Sequence, residues 1–101
     1  MLTITLSTVL DDLRSVEQAL HKFEQRYWLS SDVFYEMYSQ GRLDDGEYLE
    51  EFAEWAGHYA LKLKREDLLQ KFSRQRIEQL RQQSSSDTIH LSPQEPVLEF
   101  A

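Results

Sequence analysis

Apolar side chains recur at alternating intervals of four and three residues through the first part of this 101-residue chain. The series is Val9, Leu13, Val16, Leu20, Phe23 and Tyr27. Since an α-helix turns once about every 3.6 residues, this spacing forms one apolar stripe along a helix. We therefore predict a helix from Thr8 to Trp28. Its stripe is buried either inside one chain or against a second copy, and periodicity does not choose between them.

The residues before and after this helix carry start and stop signals. Leu2, Ile4 and Leu6 alternate with threonines, which allows a short N-terminal strand, and Ser7 follows as the expected helix N-cap. A short helix is predicted from Ser31 to Gln40. It should end at Gly41, because glycine suits the left-handed residue that follows many helices.

A third helix is predicted to begin near Gly46, after Asp44 and Glu47 at capping-box spacing. Its aromatic residues share one face: Tyr48, Phe52, Trp55 and Tyr59. The apolar face then shifts at residues 64–67. This shift favours a bend or break there, with a fourth helix to about Gln82, over one long helix that meets two packing partners.

These elements predict an all-α bundle of three to four helices. Without cysteine the fold must rest on packing alone, and a chain of this length allows one domain. We place the helical domain at residues 1–83. Residues 84–101, with two prolines among polar side chains and small apolar islands, are expected to form an extended tail.

Nothing in the sequence favours an enzyme. The three glycines are too sparse for a phosphate-binding loop, and the three histidines are far apart with no nucleophile pattern. Glu54 and His58, four residues apart, have the spacing to share a metal, but a solvated acidic face is the simpler interpretation. We therefore expect no catalytic residue, no cofactor and no metal. With no long apolar run and no leader pattern, a cytoplasmic protein without membrane contact is expected.

The formal net charge of −7 is unevenly distributed. Residues 1–60 carry four basic and twelve acidic residues, a net charge of −8, whereas residues 61–82 carry seven basic and three acidic ones, a net charge of +4. The net negative charge of the whole chain disfavours nucleic-acid binding, although the basic helix keeps a small nucleic-acid-binding regulator as an alternative. Its candidate contacts are Lys64, Lys71, Arg74 and Arg81.

Aromatic residues make up 12% of the chain, and tryptophan and tyrosine are enriched at the centres of protein interfaces. The candidate partner-binding residues are Trp28, Tyr35, Tyr38, Trp55, Tyr59, Ile89, Leu91, Val97, Leu98 and Phe100. A homodimer, or a homo-oligomeric scaffold, is the further alternative, formed through Val9, Leu13, Val16, Leu20 and Phe23.

One set of motifs spans residues 16–63. It comprises Phe23-x-x-x-Tyr27, Leu29-Ser30-Ser31-x-x-Phe34-Tyr35, Tyr38-x-x-Gly41-x-Leu43-x-Asp45 and Glu54-Trp55-x-x-x-Tyr59. This set resembles small helical prokaryotic proteins encoded beside toxin genes, the antitoxin halves of toxin–antitoxin pairs. The resemblance implies a non-enzymatic inhibitor of a ribonuclease- or nucleotidyltransferase-like toxin, with no catalytic residues carried over. An acidic inhibitor would be steered towards the basic surface of such a toxin.

Overall fold

The computed structural model describes residues 4–44, 46–84 and 87–93. Within these ranges the chain is all-helical: α1 spans Leu6–Tyr27, α2 spans Ser31–Ser39 and α3 spans Leu49–Gln83. The prediction of an all-α chain with three to four helices is therefore confirmed. The chain forms two compact units that divide after Gln70, inside α3.

Helix α1 begins two residues earlier than the sequence predicts. Thr5 has extended backbone angles, and its Oγ1 accepts a hydrogen bond from the amide of Thr8 at 3.1 Å, so Thr5 rather than Ser7 is the N-cap. Leu6 belongs to the helix, and Ile4 and Thr5 have no regular structure, so the predicted strand is not seen among the described residues. Leu2, the remaining apolar residue of that prediction, lies outside them.

The apolar stripe of α1 is buried within the single chain. Val9, Leu13, Val16 and Leu20 are each at most 8% exposed, and Phe23 is half-buried against the core. These side chains are covered without a second copy. A homodimer through the stripe stays a prediction, and it would require these side chains to leave their packing within the chain.

Helices α1 and α3 lie antiparallel in the first unit. The Tyr27 hydroxyl donates to Glu51 at 2.7 Å, the rings of Phe23 and Trp55 stack at 5.5 Å, and Arg65 pairs with Asp12 at 2.9 Å. Contacts thus move towards the start of α1 as they move along α3. Between α2 and α3, Phe34 stacks on Trp55 with 3.7 Å between ring centroids, so all three helices meet at this tryptophan.

Helix α3 runs without a break through residues 64–67, so the expected break and fourth helix are wrong. No glycine or proline stands there to interrupt the helix. The shift of the apolar face therefore agrees with the second of the two interpretations, one long helix that meets two packing partners. The predicted capping box is also absent, because α3 starts only at Leu49. Asp44 instead accepts a hydrogen bond from the Gly46 amide within the loop, at 3.2 Å.

The loop after α2 follows the sequence prediction more closely. Helix α2 ends at Ser39, and Gly41 has a φ of +67°, the left-handed value for which glycine was expected.

Among the described residues, no helix has both the length and the apolar content needed to cross a bilayer.

Candidate protein-binding site

Trp55 is the centre of the core and not a surface residue. It is 1% exposed, its ring stacks on Phe34, Phe23 and Tyr27, and its Nε1 donates to the Ser31 Oγ at 2.9 Å. In this conformation Trp55, which the sequence analysis placed among the partner-binding residues, has almost no surface to offer a partner. Its aromatic face is occupied by its own fold, as expected for the largest apolar side chain in a small core.

A buried hydrogen-bond chain continues from Trp55 through Ser31 to Glu24. The Ser31 hydroxyl donates to Glu24 Oε2 at 2.7 Å, and the Ser31 amide donates to the same oxygen at 3.0 Å. Ser30, the N-cap residue of α2, makes no side-chain capping bond, so a carboxylate from α1 satisfies an amide of that helix end. This series of hydrogen bonds connects all three helices through polar groups.

Trp28 is the opposite case. Its side chain is 92% exposed, and its backbone, at φ 55° and ψ 45°, is left-handed. A residue with a side chain in this conformation costs about 1 kcal/mol, and glycine would avoid that cost. Trp28 therefore combines an unfavourable backbone with a large apolar side chain in water, at the end of the rigid helix α1.

The three predicted tyrosines form the outer layer of the core. Tyr35 and Tyr59 contact each other with ring centroids 5.0 Å apart, and Tyr38 stacks on Phe34 at 5.5 Å. All three are half-buried. Each can offer only part of its ring to a partner while the rest supports the fold.

A shallow groove lies where the loop after α2 meets the start of α3. It has a volume of about 390 Å³ and is lined by Tyr38, Gly41, Leu43, Leu49 and Phe52. A second hollow of about 360 Å³ lies beside it, lined by Gly46, Glu47, Tyr48, Leu49, Glu50 and Glu51. Leu49 lines both hollows, and we call the two together the Leu49 groove.

The sequence prediction included Tyr38 but missed Leu43 and Leu49. Leu49 is 48% exposed although it directly follows Tyr48 in an acidic stretch. The available signal was an apolar residue within an acidic stretch at the start of a helix. The predicted apolar face of α3 did not include Leu49, so no role was predicted for it. Its exposure depends on the late start of α3.

Two carboxylates at the Leu49 groove have no cation partner among the described residues. Glu51 is engaged, since Arg26 Nε lies 3.0 Å from one of its oxygens and the Tyr27 hydroxyl bonds to the other. Glu47 and Glu50 are exposed, and within the described ranges neither forms an ion pair. The Leu49 groove therefore has large apolar side chains in its first hollow and carboxylates in its second.

Burial and hydrogen bonding change the pKa values of two nearby groups, Tyr27 and Asp32. Removal from water raises the pKa of Tyr27, so its hydroxyl remains a donor to Glu51 through neutral pH. The hydroxyl of Ser30 and the amide of Val33 lower the pKa of Asp32, which stays ionised at the start of α2.

The candidate nucleic-acid contacts are distributed over both units. Lys64 and Arg74 are exposed, and Arg81 lies 3.9 Å from Glu78. Two other cations of this segment have internal partners, because Arg65 pairs with Asp12 and Arg76 donates to the carbonyl of Ser92. The positive charge of residues 61–82 is thus partly used within the chain.

The tail residues are only partly described. Ile89 is half-buried and Leu91 is 70% exposed. Val97, Leu98 and Phe100, the other predicted tail contacts, lie outside the described residues.

Glu54 and His58 form a single contact, 3.8 Å between His58 Nε2 and Glu54 Oε1. Over the described ranges, no three side chains of a metal-binding type come together at one place.

Comparisons with protein-family models, curated proteins and solved structures found no match to this chain.

Proposed function

We propose that this chain is a non-enzymatic protein-binding module, an antitoxin-like inhibitor of a basic ribonuclease- or nucleotidyltransferase-like toxin in the prokaryotic cytoplasm. The observation that carries the proposal is Trp28. Tryptophan is highly buried on average, yet Trp28 is 92% exposed. Tryptophan is also one of the side chains enriched among residues that dominate binding energy.

The rigidity of its position supports this role. Trp28 directly follows the last residue of α1, and its neighbours Tyr27 and Leu29 both pack against the core. Binding would therefore order the Trp28 side chain but little of the backbone around it, which favours affinity. The acidic first sixty residues add electrostatic steering towards a basic partner, and Ile89 and Leu91 of the tail provide a second apolar contact.

Co-expression with the product of the adjacent gene, followed by affinity purification, tests the proposal. We expect the two proteins to purify together and the chain to restore growth to cells that express the neighbouring protein. Recovery of the free chain alone, without growth rescue, would contradict the inhibitor function.

A substitution at Trp28 separates binding from folding. Trp28→Gly removes the side chain and suits the left-handed backbone, so we expect stability equal to or about 1 kcal/mol above the wild type. Affinity for the co-purified partner should nevertheless fall by about 30-fold, the loss typical of a dominant interface residue. Leu63→Ala, which truncates another exposed apolar side chain, is the control and should bind normally. Unchanged affinity of Trp28→Gly would refute the role of this residue.

A further inference from the structure

We infer that the Leu49 groove is a docking site for an arginine-containing apolar segment of a basic protein. The inference deepens the proposed function and rests on it for the biological partner. It adds a second contact surface whose chemistry differs from that of Trp28.

The floor of the groove fits an apolar side chain. Leu43 and Phe52 pack against the core on one side and line the groove on the other, so the floor is held by the fold. Leu49 is half in water, and its burial by a partner would remove apolar surface from solvent. A volume of about 390 Å³ accommodates one or two large side chains.

Charge decides which occupant is favoured. Glu47 and Glu50 line the hollow on the other side of Leu49 and have no cation among the described residues. An arginine whose aliphatic part lies along Leu49 would place its guanidinium near these carboxylates, with the bidentate geometry that arginine favours. The same charges disfavour the phosphates of a nucleic acid and a second copy of this acidic surface.

The site is testable without knowledge of the natural partner. The probe is a short synthetic peptide of alternating leucine and arginine, titrated into the isotopically labelled full chain and followed by amide chemical shifts. We expect the shifts to concentrate on residues 38–52. A peptide in which glutamate replaces arginine should bind at least about tenfold more weakly, since two ion pairs become repulsions.

Variants separate the two components of the groove. Leu49→Ser should weaken the leucine–arginine peptide by about tenfold, and the double variant Glu47→Gln with Glu50→Gln by about threefold to tenfold. Leu10→Ser is the matched apolar control because Leu10 is 47% exposed on α1, and Glu66→Gln is the charge control on α3. Both controls should bind as the wild type does.

Several outcomes overturn the inference. These are shifts spread over the whole chain, equal binding of the glutamate peptide, insensitivity to Leu49→Ser, or shifts at residues 38–52 that appear on raising protein concentration without peptide. Stronger shifts of the same amides with single-stranded RNA would also overturn it. If peptide binds as expected but no toxin partner is found, the groove stands and the inhibitor function fails. If the partner binds Leu49→Ser normally but loses Trp28→Gly, the function stands and the groove is refuted.

Discussion

Ser31 connects the three helices at the scale of a single residue. Its hydroxyl accepts from the indole of Trp55 and donates to the carboxylate of Glu24, while its amide donates to the same carboxylate oxygen. It is the one buried polar residue of the core among those described, at 3% exposure. Within the described ranges, no buried polar side-chain atom lacks a partner, so this polar junction is fully satisfied.

Removal of the Ser31 hydroxyl should therefore lower the free energy of unfolding strongly, although the substitution deletes only one hydroxyl group. Ser31→Ala leaves the indole N–H buried without an acceptor and removes one donor from Glu24, so we expect a loss of about 2 kcal/mol in the free energy of unfolding. Urea denaturation measures it. Ser15→Ala, at an exposed serine of α1, should change stability by less than about 0.5 kcal/mol. Equal effects of the two variants would show that the junction contributes nothing.

At the scale of elements, α1 and α3 are antiparallel partners with two kinds of contact. Aromatic stacking of Phe23 and Tyr27 on Trp55 joins the end of α1 to the early part of α3, and the Asp12–Arg65 pair joins the helices further along. The apolar stripe supplies the buried area, and the half-exposed ion pair adds little by comparison. The packing of α1 should therefore depend on the stripe.

Two leucines on α1 test this dependence. Leu20 is 2% exposed in the core and Leu10 is 47% exposed. Leu20→Ala should lower the free energy of unfolding by about 2 to 5 kcal/mol, since it removes buried methyl groups and leaves a cavity. Leu10→Ala changes the same side chain on the same helix and should cost less than about 1 kcal/mol. Similar urea midpoints for the two variants would contradict burial of the stripe.

At the scale of the molecule, the chain has covered its strongest apolar pattern and left other apolar residues exposed. The α1 stripe lies inside, whereas Trp28 and Leu49 stand in water beside an acidic sequence. A scaffold built on the stripe would need the reverse arrangement. Like charges around the exposed set oppose self-association through it.

We therefore expect the isolated chain to be a monomer. Sedimentation velocity over a wide range of protein concentration should give one species of constant mass. A dimer that forms with increasing concentration, and that Leu20→Ala abolishes while Leu10→Ala does not, would support the homodimer through the stripe.

Local features of this protein were accessible from its sequence. The stripe spacing predicted α1 with its boundaries displaced by one or two residues, and Ser31 and Gly41 marked the limits of α2 well. These features depend on helical periodicity and on the backbone preferences of nearby residues, which act over a few positions. The same local rules misplaced the start of α3, because Asp44 and Glu47 form a plausible cap that the loop does not use.

The tertiary structure decided which of the equivalent side chains are buried. Trp28 and Trp55 both looked like interface residues, yet one is 92% and the other 1% exposed. Their difference depends on contacts with residues more than twenty positions away, such as the bond from Trp55 to Ser31. The sequence alone determined that the helices have apolar faces. Only the folded structure determined what covers each face, because burial depends on which distant residues the loops between the helices bring together.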